Sequence, residues 1–134
     1  MRFMMFVKAD AQSEAGAMPD EKLLSDMMKF NEDLAKAGAM LDGSGLHPSS
    51  KGARVTFSGG KPRVTDGPFT ETKELVSGYW LIQAKSREEA IEWARRVPFV
   101  DGQIEIRPLF ELEDFEPGEA IERARELEKK LKNR

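Results

Sequence analysis

Apolar positions alternate in several short runs along the chain and recur at helical spacing in the stretches between and after them. Phe3, Met5 and Val7 fall on one side of an opening strand, and Met4 and Phe6 on the other. A strand apolar on both faces belongs in the middle of its sheet. Residues 10–18 are small and polar and read as a loop. Pro19-Asp20-Glu21 then starts a helix, because Pro fits a first turn and carboxylates suit the positive end of the helix dipole. Leu23, Met27, Phe30 and Leu34 predict its buried stripe, and Gly38 its stop.

Residues 39–46 read as an irregular strand broken by Gly43 and Gly45, leading into His47-Pro48-Ser49-Ser50. A hairpin is predicted next, from Ala53 to Ser58 and Pro62 to Thr65 around Gly59-Gly60. Residues 75–84 form another strand, with Val76, Trp80 and Ile82 on one side and Leu75, Tyr79 and Leu81 on the other. Ser86-Arg87-Glu88-Glu89 has capping-box spacing and opens a helix that Pro98 ends. Residues 103–110 alternate again, with Ile104, Ile106 and Phe110 inward. Pro108 cannot donate to a ladder, which makes this an edge strand. Residues 116–134 read as a charged helix with a narrow stripe of Ile121, Ala124, Leu127 and Leu131. That stripe fits packing on its own domain or docking on a second subunit.

The order predicts an α+β fold: a ferredoxin-like, split βαβ sandwich with an inserted β-hairpin and an extra C-terminal helix. Helices cover one face of such a sheet, and the other face needs a cover, for which dimerisation is a common solution.

Composition narrows the chemistry. The chain has 134 residues, one domain's worth, with 21 basic and 24 acidic side chains and a net charge of −3. No segment carries the basic excess of a nucleic-acid binder. There is no cysteine, which excludes disulfides and thiolate chemistry and fits a cytoplasmic protein. The apolar run at the N-terminus is too short for a signal peptide core or a membrane span. One histidine and no cysteine argue against a zinc or iron site, no acidic cluster suggests magnesium, and Gly43-Ser44-Gly45 lacks the context of a phosphate loop. No metal or cofactor is expected.

Asp66-Gly67-Pro68-Phe69 followed by Thr70-Glu71-Thr72-Lys73-Glu74 resembles the DGPF signature of the YCII-related family. Gly45-Leu46-His47-Pro48, Gly78-Tyr79-Trp80, residues 89–94 and Ile104-Glu105-Ile106-Arg107-Pro108 match it in order. The resemblance covers a domain of residues 1–113, with 114–134 as a helical extension. It implies protomers that pair face to face into a dimeric, α/β-barrel-like assembly. It also implies an active-site cleft with a His–Asp pair, which falls on His47 and Asp66. Some members resemble, or are, enzymes on small cyclic substrates, including a dehydrochlorinase acting on a chlorinated hydroquinone. Many in this branch sit beside sigma factors, which implies a regulatory, sigma-factor-linked context.

His47 is the only histidine, and an imidazole is a side chain that can move a proton in either direction near neutral pH, which makes it the natural acid/base candidate. The plain alternative is a surface or hydrogen-bonded structural histidine. Asp66 can fix the imidazole tautomer and favour its charged form if it reaches the ring. It can equally be a turn aspartate, since Asp-Gly-Pro is ordinary turn chemistry. Arg107, Tyr79 and Glu71 are candidates for substrate binding, Arg107 by bidentate pairing with a carboxylate. For Glu71 and Arg107 the alternative is a surface ion pair. These residues point to a cofactor-independent lyase or isomerase acting, as a homodimer, on a small polar or aromatic metabolite. A non-catalytic ligand-binding or regulatory module using the same cleft is the competing expectation. An assembly scaffold built on the C-terminal helix is a third.

Overall fold

The computed structural model describes residues 1–133. In chain order it contains β1 (Arg2–Lys8), α1 (Ala11–Glu14), α2 (Glu21–Lys36), β2 (Met40–Gly45), β3 (Ala53–Ser58), β4 (Lys61–Asp66), β5 (Val76–Gln83), α3 (Arg87–Arg95), β6 (Ile104–Pro108) and α4 (Glu119–Lys132). The main sheet is antiparallel with strand order β2-β5-β1-β6, and β3 and β4 form a separate two-stranded ribbon. The chain is therefore α+β, with its apolar opening strand central and the Pro108-containing strand at an edge.

Local chemistry explains most element ends. The Asp20 carboxylate accepts from the backbone N–H of Leu23, so Asp20 caps α2 and Pro19 lies just outside the helix. Gly38, at φ +70°, follows the helix as the left-handed residue that a helix stop favours. Residues 10–18 differ from the expected loop. Asp10 and Ser13 exchange side-chain and backbone hydrogen bonds, and this reciprocal cap supports the single turn of α1. At α3, the Ser86 hydroxyl accepts from the backbone N–H of Glu89, while the Glu89 carboxylate accepts from Lys85 instead of Ser86.

One face of the main sheet is covered by α2 and α3. Phe3, Met5, Trp80 and Ile82 meet Phe30, Leu34, Ala90, Trp93 and Val97 in a single buried cluster. Phe30 contacts both indoles edge-on, at ring-centroid distances of 5.3 and 6.3 Å. The Trp80 indole N–H donates to Asn31 at 2.8 Å, so the ring is buried without orphaning its polar atom. Phe110 departs from the expected inward pattern. β6 ends at Pro108, and Phe110 is 75% exposed, its ring 5.2 Å from that of Phe115.

The opposite face of the sheet carries Met4 paired with Leu81 and Phe6 paired with Tyr79, all half-buried. In α4, Ile121 and Ala124 are half-buried beside the Leu112–Asp114 turn, whereas Leu127 and Leu131 are exposed.

All twelve residues of the β3–β4 ribbon are exposed. Cross-strand pairing puts Ala53, Val55 and Phe57 on one face with Asp66, Val64 and Pro62. Arg54, Thr56 and Ser58 share the other face with Thr65, Arg63 and Lys61. The ribbon is thus apolar on one side and basic on the other. No described helix is long and apolar enough to cross a membrane.

Candidate functional site

The marker segment is built around one serine. Ser49 begins a 3-10 turn after His47-Pro48. Its backbone N–H and its hydroxyl both donate to the carboxylate of Glu14, which α1 presents. The same hydroxyl accepts from the backbone N–H of Phe69, and the Gly67 N–H donates to the Gly52 carbonyl at 3.0 Å. Gly67 lies so close to this turn that a Cβ placed on it would sit 1.7 Å from the Ser49 carbonyl oxygen. Only glycine allows the two backbones to approach like this. The Gly67–Pro68 peptide bond is cis.

The rest of the segment packs on β3. The Arg54 guanidinium lies 3.8 Å from the Phe69 ring centroid and 3.7 Å from the Glu71 carboxylate. Glu71 also accepts from the Thr70 hydroxyl. Its own backbone N–H, then Thr70, then Arg54 hold its carboxyl below the usual range, against slight desolvation. Glu71, a candidate for substrate binding, already has these partners, Thr70 beside it and Arg54 on β3.

His47 and Asp66 are thereby carried on two segments that touch. His47 precedes Ser49 by two residues, and Asp66 directly precedes Gly67. Both side chains are exposed, and neither has a hydrogen-bonding or ionic partner among the described residues. No hydrogen bond joins them to each other. Asp66 is the last residue of β4, opposite Ala53, not a free turn residue, so its side chain stands at the foot of the apolar ribbon face.

The other two candidates lie on the main sheet. The Tyr79 hydroxyl donates to Asp42 at 2.8 Å on the face that the helices leave open. This bond, together with slight desolvation and the Asp42 charge, raises the phenol's pKa against an opposing Ser44 hydrogen bond. Arg107 is exposed at the β6 edge and pairs with Glu105 at 3.6 Å, the surface pairing that alternation along β6 allows. The structure does not bring Tyr79 or Arg107 into hydrogen-bonding or ionic contact with His47 or Asp66.

Two surface hollows lie elsewhere. One of about 200 Å³ is lined by residues including Val97, Phe99 and Ile104. The other, about 390 Å³, lies between Lys8, Asp10, Lys73 and Gln103. Among the described residues, no three His, Asp or Glu side chains converge as a metal site would require. Ser49, Glu14 and Asp42 were not legible as site residues. Their roles depend on partners about 20 to 37 positions away, and no local spacing signals such a contact.

The YCII-related domain model matches residues 1–113, which leaves α4 outside it. An uncharacterised protein of Rhizobium meliloti (strain 1021) is 34% identical over 103 residues, spanning 75% of this chain and 81% of that protein. Among solved structures, the chain is similar to 5-chloro-2-hydroxyhydroquinone dehydrochlorinase from Burkholderia phenoliruptrix AC1100, in complex with 2,5-dihydroxybenzoquinone. That match is 12% identical, with a TM-score of 0.43, and covers 82% of this chain and 94% of the other. With the family model spanning most of the chain and a relative above 30% identity, the chain belongs to the YCII-related family.

Proposed function

We propose that this chain binds a small polar or aromatic metabolite at the rim shared by His47 and Asp66 and acts on it as a cofactor-independent lyase or isomerase. The observation that carries this reading is the Ser49 knot. It fixes two backbone segments against each other, yet leaves the imidazole and the carboxylate at their edges without protein partners. Catalytic geometry needs rigid support for groups that are themselves available to a ligand. Asp66 at the foot of the ribbon's apolar face places a charge beside Ala53 and Val64, which suits a ligand with an apolar body and a polar group.

In this mechanism His47 takes a proton from substrate carbon or oxygen and returns it at the leaving group or the isomerised position. Asp66 closes on the imidazolium that forms and stabilises it. We read the interleaved strand order as a ferredoxin-like sandwich. Its open face, lined by Met4, Phe6, Tyr79 and Leu81, would pair with a second copy in a dimeric, barrel-like assembly. Tyr79 and Arg107 would then line the walls of that assembly.

A non-catalytic ligand-binding module is favoured by one specific observation: no hydrogen bond connects His47 to Asp66. Thermal-shift screening of a metabolite panel separates these readings. Ligands that stabilise the wild type should lose their effect in His47→Ala and Asp66→Asn. Turnover of such a ligand establishes the enzyme, and binding without turnover favours the module. Stabilisation that is unchanged in both variants places the ligand elsewhere and removes the proposal.

A further inference from the structure

We infer that the hollow between the end of β1, the Thr72–Glu74 turn and residues 102–103 is a binding site for a small hydroxy acid, whose carboxylate is held by Lys8 and Lys73. The hollow has a volume of about 390 Å³, and neither His47 nor Asp66 lines it, so the inference stands apart from the proposed reaction. Its walls are pinned to each other. The Lys8 N–H donates to the Gln103 carbonyl and the Ala9 N–H to the Leu75 carbonyl, each at 3.0 Å, which ties the strand end to both flanking turns. Gly102, at φ +117°, turns the chain where a side chain would be strained. The β1–β5 register also shifts between Val7 and Lys8, and such irregularities re-aim the side chains beside them.

Lys8 is the observation that points to a ligand. Only 19% of its side chain is exposed, against 38% or more for every other Lys or Arg found in an ion pair among the described residues. A cation withdrawn this far from water needs a close anion. Its partner, Glu105, lies at 3.9 Å and is shared with Arg107 at 3.6 Å. Lys73 lines the same hollow and makes no ion pair among the described residues. One underpaired and one unpaired ammonium group therefore meet in a single hollow, which suits a carboxylate.

The surrounding charges and donors narrow the ligand further. Lys8, Lys73 and Arg107 stand against Asp10 and Glu105, so three cations and two carboxylates leave one positive charge. A single negative charge balances it, whereas a phosphate dianion overshoots and brings its second charge toward Asp10. The Asp10 carboxylate caps α1 through one oxygen, which accepts from the Ser13 N–H at 2.8 Å. Its other oxygen can accept from a ligand hydroxyl, and the Gln103 amide can donate or accept. The methylene stems of the two lysines and the Ala9 methyl flank a short apolar body. A carboxylate, a hydroxyl and a short carbon chain between them are the parts of a hydroxy monocarboxylic acid.

Titration of the full chain with sodium 3-hydroxybutyrate, followed by backbone amide NMR at constant ionic strength, tests this. The amide signals of Ala9, Gly102 and Gln103 should shift saturably, and sodium chloride should not reproduce the shifts. Lys73→Gln should weaken binding about fivefold or more, and Lys73→Arg should stay within about twofold of the wild type. Lys8→Met keeps the buried stem and should weaken binding to a similar extent; because Lys73 is exposed, its variants keep the test decisive even where Lys8→Met unfolds the chain. His47→Ala should bind the probe as the wild type does. Shifts that fail to saturate, or an affinity unchanged in Lys73→Gln, overturn the site. Tighter binding of inorganic phosphate overturns the single-charge assignment, and equal binding of butyrate, which lacks the hydroxyl, overturns the hydroxy-acid assignment. Binding lost in His47→Ala moves the anion to the other site and also overturns the inference, whereas failure of the His47 reading alone leaves these shifts in place.

Discussion

Gly67→Ala isolates the contact that holds the candidate site together. Away from left-handed backbone, replacing Gly by Ala usually stabilises slightly, by about 0.4–1 kcal/mol, through the unfolded chain. Gly67 is not among the positive-φ glycines, so backbone conformation alone would allow alanine. The obstacle is the Ser49 carbonyl oxygen, 1.7 Å from the new methyl position. This atom is backbone, so it cannot swing away as a flexible side chain would. Relieving the clash means separating the two segments, an overpacking cost of about 1–3 kcal/mol. Separation also threatens the bonds from Gly67 to Gly52 and from Phe69 to Ser49, each worth about 1 kcal/mol net. The expected loss is about 3 kcal/mol, a urea midpoint lowered by roughly 1.5 M at a typical slope of about 2 kcal/mol/M. Gly45→Ala is the control, because nothing lies within 4 Å of its added Cβ. Adding Ser49→Ala to Gly67→Ala should give no rescue, since the clash is with the main chain. Urea denaturation showing Gly67→Ala within about 0.5 kcal/mol of the wild type would refute the close approach.

Other tests follow from individual contacts. The Arg2 side-chain hydrogen bond holds the Glu111 carboxyl below its ordinary range, so its stabilisation is present above the unfolded value of about 4.5 and fades as pH falls through the folded value. Glu111→Gln should therefore cost up to about 1 kcal/mol at neutral pH, given the partial exposure of the pair, and nothing near pH 2. An equal cost at both pH values would contradict this. Tyr79 is the only tyrosine, so ultraviolet absorbance follows its ionisation alone. Its midpoint should lie above the ordinary phenol value and fall in Asp42→Asn; a midpoint unaltered by that substitution would count against the hydrogen bond. Trp80→Phe should cost about 3 kcal/mol in chemical denaturation, combining lost packing against Phe30 with an Asn31 left short of its donor, and a near-neutral result would argue against the buried indole.

Elements whose causes are local were legible in the sequence. Alternation in residues 3–7 located the central strand, Asp20 and Gly38 bracket α2, and Gly59-Gly60 turns the ribbon between Ser58 and Lys61. Exceptions arose where a contact overrode the pattern. Residues 10–18 were small and polar enough for a loop, but the Asp10–Ser13 exchange makes one helical turn. Phe110 continued the β6 alternation on paper, yet the strand stops at Pro108 and the ring turns to Phe115. The marker segment was legible as a motif but not as a packing device. Its glycine serves Ser49, Phe69 stacks on Arg54, and Glu71 answers Arg54. None of these partners is nearer in sequence than about 15 residues, apart from the local bond of Glu71 to Thr70. The approach of the His47 and Asp66 segments is likewise tertiary and could be expected only from family resemblance.

The most direct test of the proposed site uses the fact that His47 is the sole histidine. Its ring resonances can be followed by NMR without ambiguity while metabolites that stabilise the protein are added. A ligand bound at the proposed rim should shift those resonances in proportion to occupancy, with the response reduced in Asp66→Asn. Saturating ligand that leaves the His47 ring signals unmoved would contradict the site.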